Sequence, residues 1–100
     1  MGDRVRLLQY GGEIYTETED GEPYADLTTK IPGLMSQVKA DQFLVKFYSE
    51  NKSFLQQLLE LGIFKETGLV FPMQHVDIPC WELTKIGKEY IEKGTLISAD

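Results

Sequence analysis

The chain has 100 residues, 42% of them hydrophobic, and a formal net charge of −6 at neutral pH. This size and composition suit one compact domain with a modest core, and no linker or repeat divides the chain. The sequence has no long apolar run near its beginning and a single cysteine, Cys80. These features speak against a membrane span, a signal peptide and a disulfide framework, so we expect a cytoplasmic protein.

The negative charge is concentrated in the first quarter of the chain. Residues 1–27 contain seven acidic and two basic residues, a net charge of −5, whereas residues 28–100 contain nine acidic and eight basic residues, a net charge of −1. Strand-like residues lie on both sides of the Gly11-Gly12 turn signal, and Asp20-Gly21 is a second turn signal. We therefore predict a β-hairpin or small meander with carboxylates at its tips.

This acidic hairpin region, residues 1–27, supports two interpretations. In the first interpretation, the charge serves only to keep the hairpin soluble and to discourage edge-to-edge pairing. The alternative is a recognition face for a partner protein with a basic surface, because concentrated charge steers an oppositely charged partner. The candidate partner-binding residues are Glu13, Glu17, Glu19, Asp20, Glu22 and Asp26.

The segment between the hairpin region and Ser49 contains apolar residues in two helical phases. Those of residues 34–38 share one helical face, whereas those of residues 40–48 lie about half a turn away. One straight helix cannot bury both sets against the same core. We predict a short helix that begins near Pro32, a break around Lys39, and a second helix that ends near Ser49.

An amphipathic helix is predicted between Ser53 and Gly62. Ser53 and Gln56 fit a capping box at its start, and Gly62 supplies its stop. The residues at helical spacing along its apolar face are Phe54, Leu55, Leu58, Leu59 and Ile63.

Two apolar segments then have the length and boundaries of strands. The first runs from Leu69 to Met73, after a predicted turn at residues 66–68, and the second runs from Cys80 to Leu83. Strict alternation places Trp81 and Leu83 on one face of the second strand. We expect that face to pack inward, and its expected contacts are Leu58, Leu59 and Tyr90.

A last helix is predicted from Lys85 to Lys93. Thr84 precedes it as an N-cap residue, Lys93 places a cation in its last turn, and Gly94 supplies a left-handed cap. Residues 95–100 are assigned to a tail.

A leucine-rich helix that ends in Leu61-Gly62-Ile63-Phe64, a β-ribbon, and the segment from Trp81 to Gly87 follow one another in that order. Over residues 53–91 this order resembles the second half of a winged helix-turn-helix domain. The resemblance implies an α+β fold with a winged-helix-like helical core, a two-stranded wing and an added N-terminal β-hairpin. The single domain, residues 1–100, then consists of the acidic hairpin region, a winged-helix-like region over residues 28–94, and the tail.

His75, Asp77 and Cys80 are the one cluster with the residue types of a catalytic or metal site. On an extended strand positions 75 and 77 point to one side and position 80 to the other, which disfavours a His–Cys pair. A structural zinc site needs four ligands, mostly Cys or His, and the chain offers two such residues. We therefore expect no catalytic residues, no metal and no cofactor.

DNA binding is the activity that the resemblance implies, and its candidate residues are Lys52, Ser53, Gln56, Gln57 and Lys65. Phosphate contacts come mainly from Lys and Arg, yet no arginine follows Arg6 and the ribbon's one basic residue is His75. We therefore predict a small non-catalytic regulatory, adaptor or inhibitor protein that binds another protein through its acidic face. A winged-helix DNA-binding transcriptional regulator is the alternative.

Overall fold

The computed structural model describes residues 3–48 and 51–99, which form eight strands, one 3₁₀ helix and two α-helices. In chain order the strands are β1 (Asp3–Tyr10), β2 (Glu13–Thr18), β3 (Pro23–Asp26), β4 (Thr28–Thr29), β5 (Gln42–Val45), β6 (Phe64–Pro72), β7 (Asp77–Leu83) and β8 (Ile97–Ala99). The 3₁₀ helix is Met35–Gln37, and the α-helices are α1 (Asn51–Glu60) and α2 (Lys85–Lys93).

The N-terminal strands build the first of two antiparallel sheets. Its strand order is β3-β2-β1-β8, and we call it sheet 1. Gly11 and Gly12 connect β1 to β2 with φ angles of 60° and 79°, which suits a tight hairpin turn whose twist matches the strands. The predicted N-terminal hairpin is confirmed, and β3 extends it into a meander.

The other four strands form a second antiparallel sheet, sheet 2, in the order β4-β5-β7-β6. The two predicted strands of the ribbon are confirmed as parts of the longer strands β6 and β7, which pair with each other. The turn predicted at residues 66–68 is wrong. Those residues lie inside β6, where the register shifts between Glu66 and Val70, because a β-bulge there absorbs the glycine without ending the strand.

The main hydrophobic core lies between the inner faces of the two sheets and α1. Trp81, whose exposed fraction is 2%, and Leu83 share this core with Leu58, and Leu59 and Tyr90 pack against it. The inward packing predicted for Trp81 and Leu83 is therefore confirmed.

A second, smaller core covers the opposite face of sheet 2. Its buried members are Leu44, Ile78 and Cys80, and the partly buried Leu34 and Val38 pack over them from the segment that contains the 3₁₀ helix. β5 and the adjoining part of β7 are therefore buried on both faces, whereas most of β6 is exposed.

The predicted winged-helix fold and its helical core are wrong. Residues 28–48, expected to contribute two helices, instead form β4, the 3₁₀ helix and β5. Consecutive residues of β5 alternate between the cores: Phe43 and Val45 enter the main core, and Leu44 enters the smaller one. A short apolar run buried on both faces cannot be distinguished from a helical stripe by periodicity. The end predicted at Ser49 lies outside the described residues.

The predicted helix after Ser49 is present as α1, but its start differs. Because α1 already includes Asn51, Ser53 lies within its first turn and is not the N-cap residue. Its predicted end is confirmed, since the Gly62 N–H donates to the Leu59 carbonyl just after the last turn.

The boundaries of α2 are as predicted. The Thr84 hydroxyl accepts a hydrogen bond from the Gly87 N–H at 3.0 Å, and Gly94 closes the helix with a φ of 62°. The segment that follows, assigned to a tail, contains β8, which pairs with β1 and places Ile97 in the main core.

Candidate functional site

A solvent-open groove of about 520 Å³ crosses the outer face of sheet 1, which is the face turned away from the main core. Its lining is mostly apolar, and its volume lies within the range of ligand-binding pockets, roughly 300 to 1,000 Å³. We call it the outer-face groove. The lining side chains used below are Leu8, Tyr10, Tyr15, Glu17, Asp26 and Ile91.

Strand alternation places these side chains on the outer face. Val5 and Leu7 of β1 point into the main core, so Leu8 and Tyr10 point outward. Across the sheet Leu8 lies opposite Tyr15 on β2, and Tyr15 lies opposite Asp26 on β3. Residues directly opposite one another project from the same face, so the three form one row across the sheet.

One wall of the groove comes from a distant part of the chain. α2 contacts β1, and its Ile91 side chain lines the groove and also packs against the main core. The groove therefore has an apolar half at Leu8 and Ile91 and an acidic half near Asp26.

Tyr15 lies where the acidic half begins. Its hydroxyl donates to Glu13 Oε2 at 3.0 Å, from two residues earlier on the same strand. This hydrogen bond raises the pKa of Tyr15 above its ordinary value of 10.0, and desolvation and the negative charges of Glu13 and Asp26 add to the effect. The phenol therefore stays neutral, and its hydroxyl proton is donated to Glu13.

The six predicted partner-binding carboxylates fall into two groups. Glu17 and Asp26 line the groove, and Glu13 lies beside it on the outer face, where it accepts the hydrogen bond from the Tyr15 hydroxyl. The others lie at the turn between β2 and β3, at the opposite end of β2 from the Gly11-Gly12 turn, and they are Glu19, Asp20 and Glu22. The structure therefore brings half of the predicted residues together around one concave surface.

Two of the six carboxylates form ion pairs with arginine side chains of β1. Arg6 Nη1 lies 2.9 Å from Glu17 Oε1, and Arg4 Nη1 lies 3.4 Å from Glu19 Oε2. The pairing of β1 with β2 causes this, since Arg6 is directly opposite Glu17. Within residues 3–48 and 51–99, the carboxylates of Glu13 and Asp26 form no ion pair.

The apolar residues of the groove are not among the site residues predicted from the sequence. Tyr10 is 79% exposed, and Leu8, Tyr15 and Ile91 line the same groove. A signal was present, because Leu8 and Tyr10 alternate with Leu7 on β1 and so fall on the face that the core does not use. The contribution of Ile91 had no comparable signal, since it depends on how α2 packs against β1.

The five candidate nucleic-acid-binding residues do not form a recognition helix and wing. Gln57 Nε2 donates to the Ser98 carbonyl at 2.6 Å and so connects α1 to β8, and Lys65 Nζ lies 3.2 Å from Glu82 Oε2 on the neighbouring strand. Lys52 Nζ lies 5.6 Å from the centre of the Phe47 ring. The remaining two, Ser53 and Gln56, are exposed on α1.

The His75, Asp77 and Cys80 cluster is separated by the fold. His75 and Asp77 are exposed near the tip of the β6–β7 hairpin, whereas Cys80 is buried in the smaller core. Burial raises the pKa of the Cys80 thiol, which keeps it protonated and weakly nucleophilic near neutral pH. In the described part of the chain, no three His, Cys, Asp or Glu side chains are grouped so that they could hold a metal ion.

The β6–β7 hairpin carries a second exposed apolar surface. Leu69 and Val70 on β6, and Met73 and Val76 at the hairpin end, are each more than one third exposed. β6 is an edge strand, and two features discourage it from pairing with another chain. They are its bulge and the missing N–H of Pro72.

Comparisons with known proteins identify no family. No protein-family model matches the chain, and neither the curated proteins nor the solved structures contain a match. Both helices formed by residues 51–99 are too short and too polar to cross a membrane. The basis for proposing a function is therefore the geometry of the outer face.

Replacing Glu13 with Gln should lower the pKa of Tyr15, because the neutral amide is a weaker acceptor and carries no negative charge. The pKa is raised in the folded state, so the contact contributes to stability below pH 10.0 and its contribution is lost as the pH rises through the raised value. An NMR titration of ¹³C-labelled tyrosine, assigned with Tyr15→Phe, measures the shift. Glu22→Gln, at the distant turn, serves as the control and should leave the pKa of Tyr15 unchanged. Identical Tyr15 titrations in wild type and Glu13→Gln would contradict the contact.

Proposed function

We propose that this chain is a small non-catalytic protein that regulates, adapts or inhibits another protein by binding it, and that the outer-face groove is its binding surface. One observation supports the proposal: an apolar and aromatic floor adjoins two carboxylates, Asp26 in the groove lining and Glu13 beside it on Tyr15, that have no ion pair among the described residues. A cytoplasmic location, where the lone Cys80 thiol stays reduced, belongs to the same proposal.

The floor of the groove supplies binding energy. The inner face of sheet 1 already fills the main core, so Leu8, Tyr10 and Tyr15 are not needed there. Tyrosine is enriched in protein interfaces because its large ring becomes ordered at little entropic cost and its hydroxyl still forms hydrogen bonds. Covering these side chains removes apolar surface from water, which favours association.

The carboxylates supply orientation and speed. Glu13 and Asp26 lie beside the apolar floor, an arrangement that attracts a positively charged partner and fixes how it docks. The proposed alternative of DNA binding rested on the winged-helix resemblance, and the two-sheet fold removes that basis.

A capture experiment with charge-reversed variants tests the proposal. Wild-type protein, Glu13→Lys/Asp26→Lys and Asp20→Lys/Glu22→Lys are immobilised and exposed to an extract of the source cells, and retained proteins are quantified by mass spectrometry. The two double variants change net charge equally and both replace acidic residues of the hairpin region, but only the first pair lies at the groove.

We call Glu13→Lys/Asp26→Lys the groove variant and Asp20→Lys/Glu22→Lys the turn variant. The expected result is that wild type and the turn variant retain a protein that the groove variant does not retain. Circular dichroism should show that both variants remain folded, because exposed substitutions usually change stability by about 0.5 kcal/mol or less each and the half-buried Glu13 loses one hydrogen bond, that to Tyr15. Equal retention by all three proteins would contradict the assignment of the groove. Retention of no protein at all would contradict the proposed function itself.

A further inference from the structure

We infer that the outer-face groove receives an arginine side chain carried on an extended segment of the partner, with its guanidinium held between the Tyr15 ring and the carboxylates of Glu13 and Asp26. This inference rests on the proposed function and names the ligand chemistry of the same groove.

Asp26 in the groove and Glu13 beside it have the negative charge and the free acceptor oxygens for a cation. Glu13 is bound to the Tyr15 hydroxyl through one of its oxygens, and Asp26 lies directly across from Tyr15 on the neighbouring strand. Lys30 lies beside the Gly11-Gly12 turn, and its ammonium donates a hydrogen bond to the Gly11 carbonyl. No described cation forms an ion pair with either carboxylate.

Arginine fits this arrangement better than lysine. A guanidinium is planar, is more weakly hydrated than an ammonium, and stacks on an aromatic ring while its edge N–H groups donate to carboxylates. The outer face already binds one guanidinium through oxygen acceptors alone, since Arg6 donates to Glu17 at 2.9 Å and to the Glu19 carbonyl at 3.3 Å. The groove repeats the carboxylate acceptors and adds a tyrosine ring.

The apolar half of the groove sets the spacing of the partner segment. Adjacent strands lie about 4.8 Å apart, so the boundary between β2 and β3 is roughly 7 Å from Leu8 on β1. Residues i and i+2 of an extended segment point to the same side and are separated by about 6.7 Å. A segment with arginine at one position and an apolar residue two positions away therefore reaches both halves, with the apolar side chain against Leu8 and Ile91.

Fluorescence anisotropy with defined peptides tests the inference. The probe is a short labelled peptide of serine and valine with one central arginine and a valine two positions away. Its matched control contains citrulline, which has the shape of arginine but no charge. Wild-type protein should bind the arginine peptide about tenfold or more tightly than the citrulline peptide, as hydrogen bonds to charged groups typically require. Glu13→Gln/Asp26→Asn should abolish this preference, whereas Asp20→Asn/Glu22→Gln should retain it.

Four results would overturn the inference. They are equal affinity for the arginine and citrulline peptides, equal affinity for a third peptide with lysine in place of the arginine, an arginine preference that survives in Glu13→Gln/Asp26→Asn, and absence of binding by every peptide. None of these results contradicts the proposed function, because partner capture by wild type and its loss from the groove variant are measured independently.

Discussion

Replacing Trp81 with Ala is expected to lower the free energy of unfolding by about 3 to 5 kcal/mol, a large part of the roughly 5 to 15 kcal/mol typical of small domains. Trp81 is 2% exposed, and it lies on β7, between β5 and β6 in sheet 2. Its ring centroid is 5.2 Å from that of Phe47 and 5.9 Å from that of Phe64, so truncation leaves a cavity among large side chains. Urea unfolding followed by circular dichroism measures the change.

Tyr10→Ala is the matched control, because it removes an aromatic side chain from a strand position that is 79% exposed. Its expected cost is about 1 kcal/mol or less. Wild-type fluorescence gives a second check, since the chain has one tryptophan and its emission should be that of a buried indole. A Trp81→Ala variant as stable as Tyr10→Ala, or native emission typical of indole in water, would show that the described core is incorrect.

Replacing Ile97 with Ala is expected to cost about 2 to 5 kcal/mol. Ile97 is 4% exposed and pairs with Val5 at the edge of sheet 1, so β8 contributes directly to the main core. Ser98→Ala is the control. Ser98 points outward, and the hydrogen bond from Gln57 reaches its backbone carbonyl, which the substitution leaves intact. Its expected effect is within about 0.5 kcal/mol.

The same denaturation measurement separates a core strand from a tail. If residues 97–99 form β8, Ile97→Ala and Ser98→Ala differ by more than about 1.5 kcal/mol, the lower difference between a core truncation and a surface change. Two variants of equal, wild-type stability would instead mean that this segment is a tail.

The features that could be predicted from sequence are those fixed by neighbouring residues. Gly11 and Gly12 make the first hairpin turn because both adopt positive φ angles. Thr84 and Gly94 set the ends of α2 through contacts within one or two turns. These interactions form between residues a few positions apart, so local patterns contain the necessary information.

The features that could not be predicted depend on distant partners. β5 pairs with β7, some 38 residues later, and β8 pairs with β1 across nearly the whole chain. A short apolar run becomes a strand or a helix according to what covers its two faces, and for β5 both covers come from elsewhere in the chain. The winged-helix resemblance failed for the same reason: the order α1, β6, β7, α2 is local, whereas the fold is set by the two sheets around it.

The candidate site also has features that local sequence reveals and features that depend on distant contacts. Its carboxylates were evident because charge is counted directly from the sequence. Its concave shape was not, since the groove needs three strand faces in register and Ile91 from α2. The neutralisation of Glu17 and Glu19 also follows from strand pairing, which brings Arg6 and Arg4 beside them.

Amide chemical-shift mapping is the most direct test of the outer-face groove as the binding surface. The ¹⁵N-labelled chain is titrated with the unlabelled partner recovered by capture. The expected shifts cluster on the strands around Leu8, Tyr15 and Asp26 and on α2 around Ile91, with the β6–β7 hairpin unchanged. Shifts centred on Met73 and Val76, with the groove amides unmoved, would contradict the assignment and place the binding surface on that hairpin.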